Sequence, residues 1–215
     1  MNDMNDIKHH LHDEILLAYS AGALPEAFNL IVATHLDMCD ECRAAAQAFD
    51  SVGGVFLDET AKVSMSKDAL ANTLTLISKM PGIKGSEPQN KIPNPLAAYV
   101  GSSLDDIKWR PIGMGVRQAV LKTSKSATAR LLYIPAGSVV PDHGHRGTEL
   151  TLVLKGAFSD ETARFTVGDV ETADQSLEHT PMADIGEDCI CLTATDAPLR
   201  FNSWFPRLAQ RFLGI

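Results

Sequence analysis

The chain has 215 residues, is 45% hydrophobic and carries a net charge of −8, with a pI near 5.3. That length suits one large domain or two small ones, and the apolar content is enough for real cores. The acidic balance argues against direct binding to nucleic acid or to an anionic membrane, since both need a clustered basic face.

The opening MNDMNDIKHH is polar and lacks the apolar centre of a signal peptide. No run of about 18 apolar residues follows anywhere, so no membrane span and a cytoplasmic location are expected. A first helix is predicted from about Asp13, with Ile15, Leu16, Tyr19 and Ala23 on one stripe and Gly22 near its end. Pro25 suits the first position of a second helix, whose stripe reads Phe28, Ile31, Val32, His35, Cys39. Asp40 is placed to cap a third helix running through Phe49 and closed by Gly53-Gly54. Ser66 is placed to cap a fourth, with Leu70, Leu74 and Ile77 aligned.

The segment from Pro81 to Pro95 (PGIKGSEPQNKIPNP) is dense in Pro, Gly and polar residues and reads as a linker. Beyond it the texture changes to short alternating runs: Ala119–Thr123, Ala129–Ile134, Leu150–Leu154, Arg164–Val167 and Cys189–Thr193. Gly, Pro and Asp punctuate them, as in an all-β sandwich or barrel. A short closing helix is expected over Pro206–Phe212. The expected architecture is therefore α+β and multidomain: residues 1–80 a helical bundle, 81–95 a linker, 96–215 an all-β barrel.

Four cysteines occur in two close pairs, Cys39 with Cys42 and Cys189 with Cys191. Without an export signal, such pairs point to metal ligation or redox chemistry rather than a disulfide framework. His35 and Cys39 are four residues apart on one helical face, and Cys42 follows across the turn. Zinc takes four such ligands in a tetrahedron. The fourth is expected from His9, His10 or His12, between which the spacing does not choose. The plainer alternative is one buried histidine with two free core thiols. Thioredoxin-like use is disfavoured, because no βαβ context surrounds the pair.

The stretch GSVVPDHGHRGTELTLVLKG fits the first cupin motif, G-x5-H-x-H-x3-E-x6-G, through Gly137, His143, His145, Glu149 and Gly156. On a strand, His143 and His145 share a face. His179 follows Gly168 at the interval of the second cupin motif. Asp174 and Ser176 replace its common Pro and Gly, and Ala183 a frequent Asn. Three imidazoles and a carboxylate form a borderline donor set that suits Zn, Fe, Mn or Ni. Cys189 and Cys191 should face one side of a strand, either as small core residues or as an oxidation-sensitive pair near that metal.

Over HHLHDEILLAYSAGALPEAFNLIVATHLDMCDECRA and again over the barrel, the sequence resembles the zinc-binding anti-sigma factors, and most closely the ChrR-type members that join such a domain to a cupin-like one. The resemblance implies that His10 completes a zinc site with His35, Cys39 and Cys42, leaving His9 and His12 to solvent. It implies a jelly-roll barrel holding Zn2+ or another divalent transition metal on His143, His145, Glu149 and His179. It further implies a 1:1 complex with an extracytoplasmic-function (group IV) sigma factor, kept from core RNA polymerase and released under oxidative stress such as singlet oxygen. The fourth helix is a candidate sigma contact. The rival expectation is a cupin dioxygenase or isomerase with a zinc-bound helical appendage.

Overall fold

The computed structural model describes residues 7–80, 93–101, 103–198 and 200–201. The expected closing helix and residues 81–92 of the expected linker lie outside them.

Among the described residues five α-helices come first: α1 (Asp13–Ser20), α2 (Glu26–Met38), α3 (Asp40–Asp58), α4 (Ala69–Lys79) and α5 (Asn94–Val100). Helix α2 buries Ala27, Phe28, Leu30, Ile31, Val32, Thr34 and His35, more than a single stripe allows. Its surroundings explain this. It packs on α1, α3 and α5, and also on three strands of the barrel. Asn94 and Pro95, counted with the linker in the sequence reading, already open α5.

Two helix boundaries differ from expectation. Cys39, not Asp40, caps α3: it is extended (φ −116°, ψ 110°) and its Sγ accepts from the Cys42 N–H at 3.4 Å. Asp40 instead turns outward to pair with Arg43. Helix α3 also runs through Gly53-Gly54 to Asp58. Neither glycine takes a positive φ, and neither has anything near it to favour a turn. The helical penalty of about 1 kcal/mol each is then too small to end a helix that gains a hydrogen bond per residue. The extension leaves Val52, Val55, Phe56 and Leu57 exposed, and α4 adds Leu70, Leu74, Leu76 and Ile77 without burying one residue. Asp68 rather than Ser66 precedes α4 as its cap residue.

The strands are β1 (Arg110–Gly113), β2 (Val116–Val120), β3 (Thr128–Ile134), β4 (His143–Gly144), β5 (Glu149–Lys155), β6 (Ala157–Ser159), β7 (Arg164–Thr166), β8 (Val170–Ala173), β9 (Glu178–His179), β10 (Met182–Ala183), β11 (Cys189–Thr195) and β12 (Arg200–Phe201). A six-stranded sheet runs β1-β2-β3-β11-β5-β8, and two three-stranded sheets, β10-β6-β7 and β12-β4-β9, close the jelly roll. Strand β2 begins three residues before the expected Ala119, because Arg117–Val120 is the stretch in register with β3.

The large sheet is covered on both faces, so β11 is buried at all seven positions. Ala129, Leu131, Leu150, Leu152, Leu192 and Ala194 join Phe28, Leu30, Ile31 and Val32 of α2 in one apolar cluster. The alternate residues look into the barrel, where Val153, Cys189 and Cys191 pack with Val116, Ile134, Phe158, Phe165 and Ala183. The helical region and the barrel thus share a continuous core.

Candidate metal centres

Donor atoms of His10, His35, Cys39 and Cys42 all lie within 4.8 Å of one another. His10 comes from the extended segment before α1, His35 from the last turn of α2, and the thiols from the α2–α3 corner. His10 Nδ1 stands 3.4 Å from Cys39 Sγ and 3.6 Å from Cys42 Sγ. Zinc bonds of about 2.0 Å to nitrogen and 2.3 Å to sulfur, at the tetrahedral angle, place N and S about 3.5 Å apart. The His35 Nδ1–H donates to the Gly168 carbonyl at 2.9 Å, which leaves Nε2 as the lone-pair nitrogen. That Nε2 is buried without a hydrogen-bond partner. An orphaned lone pair beside two buried thiols is a donor set that a cation satisfies. Burial pulls the His35 pKa down to about 4, so the ring is neutral and ready to ligate. Burial, with the Cys39 thiol beside it, pushes Cys42 up to about 12; at neutral pH only a cation displaces that proton. His12 is exposed, as expected. His9 is not a solvent residue: its ring is half-buried against Phe165, with centroids 4.5 Å apart.

In the barrel, β4 and β9 pair so that His143 faces His179. His143, His145 and His179 form a second group of mutually adjacent donors, all buried. His145 Nε2 lies 3.3 Å from His179 Nε2, the spacing of two imidazoles on one metal at about 2.0 Å. The His143 Nδ1–H donates to the Pro141 carbonyl at 2.9 Å, which orients its Nε2. Burial lowers His143 and His145 to about 4. Glu149 stands outside this group. Its Oε2 is 3.9 Å from His145 Nδ1, its Oε1 accepts from Thr151 at 3.2 Å, and burial with the nearby Glu171 raises it to about 7.

Sequence reasoning missed Asp160 and Glu171. The His179 Nδ1–H is shared between Asp160 Oδ2 at 3.0 Å and Glu171 Oε1 at 3.1 Å, directing Nε2 at the other two rings. Burial alone would lower His179; the hydrogen bond and charge of Glu171, then of Asp160, hold it up at about 9. The available signal was a lone acid, Glu171, in the otherwise apolar and small strand VETA. Cys189 and Cys191 do share a face, with sulfurs 3.5 Å apart, both reduced and buried. The bond from Cys189, then burial, raises the Cys191 thiol, which disfavours the nucleophilic thiolate.

Residues 98–198 match the family model described as the ChrR cupin-like domain. Over 213 residues, 97% of this chain and 99% of the other, the sequence is 57% identical to the anti-sigma-E factor ChrR of Cereibacter sphaeroides. The chain belongs to the ChrR family. Its fold is likewise similar to the crystal structure of Rhodobacter sphaeroides SigE in complex with the anti-sigma ChrR, with a TM-score of 0.77 and 57% identity, covering 88% of this chain and 99% of that one. No helix among the described residues of this ChrR-family chain is long and apolar enough to cross a membrane.

Proposed function

We propose that this chain is a cytoplasmic anti-sigma factor and not an enzyme: it binds an extracytoplasmic-function sigma factor one to one, withholds it from core RNA polymerase, and releases it under oxidative stress. The observation that carries this reading is the 57% identity, over nearly the whole length of both chains, to an anti-sigma factor known in complex with its sigma factor. A full-length match includes the helical region, which a cupin dioxygenase or isomerase does not need. The exposed apolar side chains of α3 and α4 support it as well, since Phe56 on α3 and Leu70, Leu74 and Ile77 on α4 stand in water, and an amphipathic helix of this kind fits a partner's groove.

In this reading the partner surface belongs to residues 1–80, residues 81–95 connect, and residues 96–215 carry the sensor. His10, His35, Cys39 and Cys42 hold a structural Zn2+, a closed set that ties the segment before α1 to the α2–α3 corner. A tie of this kind contributes directly to folding in a small helical unit. His143, His145 and His179, with Glu149 as the expected fourth ligand, hold a divalent transition metal, Zn2+ among the candidates. Asp160 and Glu171 hold the His179 proton on Nδ1.

A signal releases the partner only by favouring a conformation that binds it less well. Strains carrying His143→Ala or Glu149→Ala should therefore retain sigma binding and show low target-gene expression with and without singlet oxygen. Normal induction in a Glu149→Ala protein that has lost its barrel metal overturns the sensing role. Turnover of a small substrate by the wild type, lost in the same variant, revives the enzyme.

A further inference from the structure

The two histidines of the N-terminal cluster come from different elements, yet one corner of the barrel holds both. The corner is Gly168-Asp169-Val170, where the chain turns from β7 into β8. The Gly168 carbonyl accepts from His35 Nδ1–H at 2.9 Å. Asp169 Oδ1 accepts from the Lys8 and His9 backbone N–H groups at 2.7 and 2.9 Å, and the Val170 N–H donates to the His9 carbonyl at 3.0 Å. Asp169 is fully buried, and its Oδ2 is occupied by the Thr166 N–H and hydroxyl at 2.7 and 2.9 Å. The fit is close. Gly168 has φ +93°, and a Cβ there would meet Ile7 Cδ1 at 2.7 Å.

These bonds do not merely dock one surface on another. One goes to the ring of His35, and the others to the peptide groups next to His10, the residue that must reach both sulfurs. Ligating histidines are typically oriented by such outer partners, whose loss typically weakens metal binding 10–100-fold. We propose that the barrel corner 168–170 is part of the N-terminal metal site, with Asp169 the positioning residue that holds His10 through the backbone of His9. This rests on reading His10, His35, Cys39 and Cys42 as a metal site. It has a consequence for signalling. Glu171, two residues beyond Asp169 on β8, is bonded to His179, so the four residues 168–171 carry a bond to His35 of one cluster and to His179 of the other. A change at the barrel metal thereby has a short covalent route to the grip on the helical region.

The test uses the full chain loaded with Co2+, whose sulfur-to-metal absorption reports the thiolate site alone. Release to excess chelator is followed for wild type, Asp169→Ala, Asp169→Asn and Cys42→Ser, with melting temperature and barrel metal content measured in parallel. Asp169→Ala should release cobalt from the thiolate site about 10–100-fold faster while the barrel keeps its metal. Asp169→Asn, retaining one acceptor oxygen, should fall between. Should Asp169→Ala not fold, Thr166→Val, which removes only the hydroxyl donor to Asp169, should still speed release a few-fold. Wild-type release in folded Asp169→Ala, or in Thr166→Val where that variant is needed, overturns the inference. A full-strength absorption band in Cys42→Ser overturns the underlying metal-site reading instead.

Discussion

His145 and His179 face each other Nε2 to Nε2 at 3.3 Å, and His179 alone of the three barrel imidazoles carries both ring protons at neutral pH. Its Nδ1–H is committed to Asp160 and Glu171, so the ionisable proton is the one on Nε2, between the rings. A metal entering the barrel must displace it. Because the His179 pKa is raised to about 9, apparent metal affinity should rise about tenfold per pH unit between pH 7 and 9. His143 and His145, lowered to about 4, add nothing in that window. Below about 7, the value to which Glu149 is raised, a second proton must leave if Glu149 ligates. The slope should then approach two. Competition titrations across pH 5.5–9 measure it, and a slope of one throughout would remove Glu149 from the ligand set.

In the helical region, zinc content should separate the three early histidines. His10→Ala should lose one zinc per chain and most sigma affinity, as should Cys42→Ser. His12→Ala should be neutral. His9→Ala should keep the zinc but lower the melting temperature, because it strips a half-buried ring from Phe165; the loss is on the order of 1 kcal/mol. Metal analysis with thermal melting reads both, and loss of zinc in His9→Ala with retention in His10→Ala would reverse the assignment.

The apolar face of α4 gives a prediction of the opposite kind. Since α4 buries none of its residues in this chain, Leu74→Glu and Ile77→Glu should leave the folding stability unchanged within about 0.5 kcal/mol. If the sigma factor covers that face, each should weaken the complex by about 2 kcal/mol or more, some 30-fold. Calorimetric titration of the sigma factor decides it; unchanged affinity in both would move the interface off α4.

Much of this was legible in the sequence because period and spacing are local. His35, Cys39 and Cys42 lie within eight residues, and His143 and His145 within three, so helix and strand geometry suffice to bring each set together. What failed to show was whatever depended on distant chain. Asp160, just after β6, and Glu171 on β8 meet His179 on β9 only because three separate sheets converge there, and no spacing in the sequence encodes that convergence. Helix α2 gave a one-sided stripe, although Leu30 and Thr34 are also buried, because the sequence does not say that a sheet lies on its second face. The same blindness made His9 a solvent residue. Its ring partner, Phe165, and the Asp169 carboxylate that takes its N–H lie over 150 residues away. The glycine pair misled in a different way: Gly53-Gly54 is a stop signal only where the backbone needs a positive φ.

The central claim is that this chain silences a sigma factor, and transcription in vitro tests it most directly. The cognate sigma factor with core RNA polymerase should transcribe its target promoter, and the metal-loaded full chain, added before core, should abolish the transcript at a one-to-one ratio with sigma. Cys42→Ser should fail to do so at the same ratio. Undiminished transcript in the presence of a several-fold excess of folded, metal-loaded chain would contradict the account.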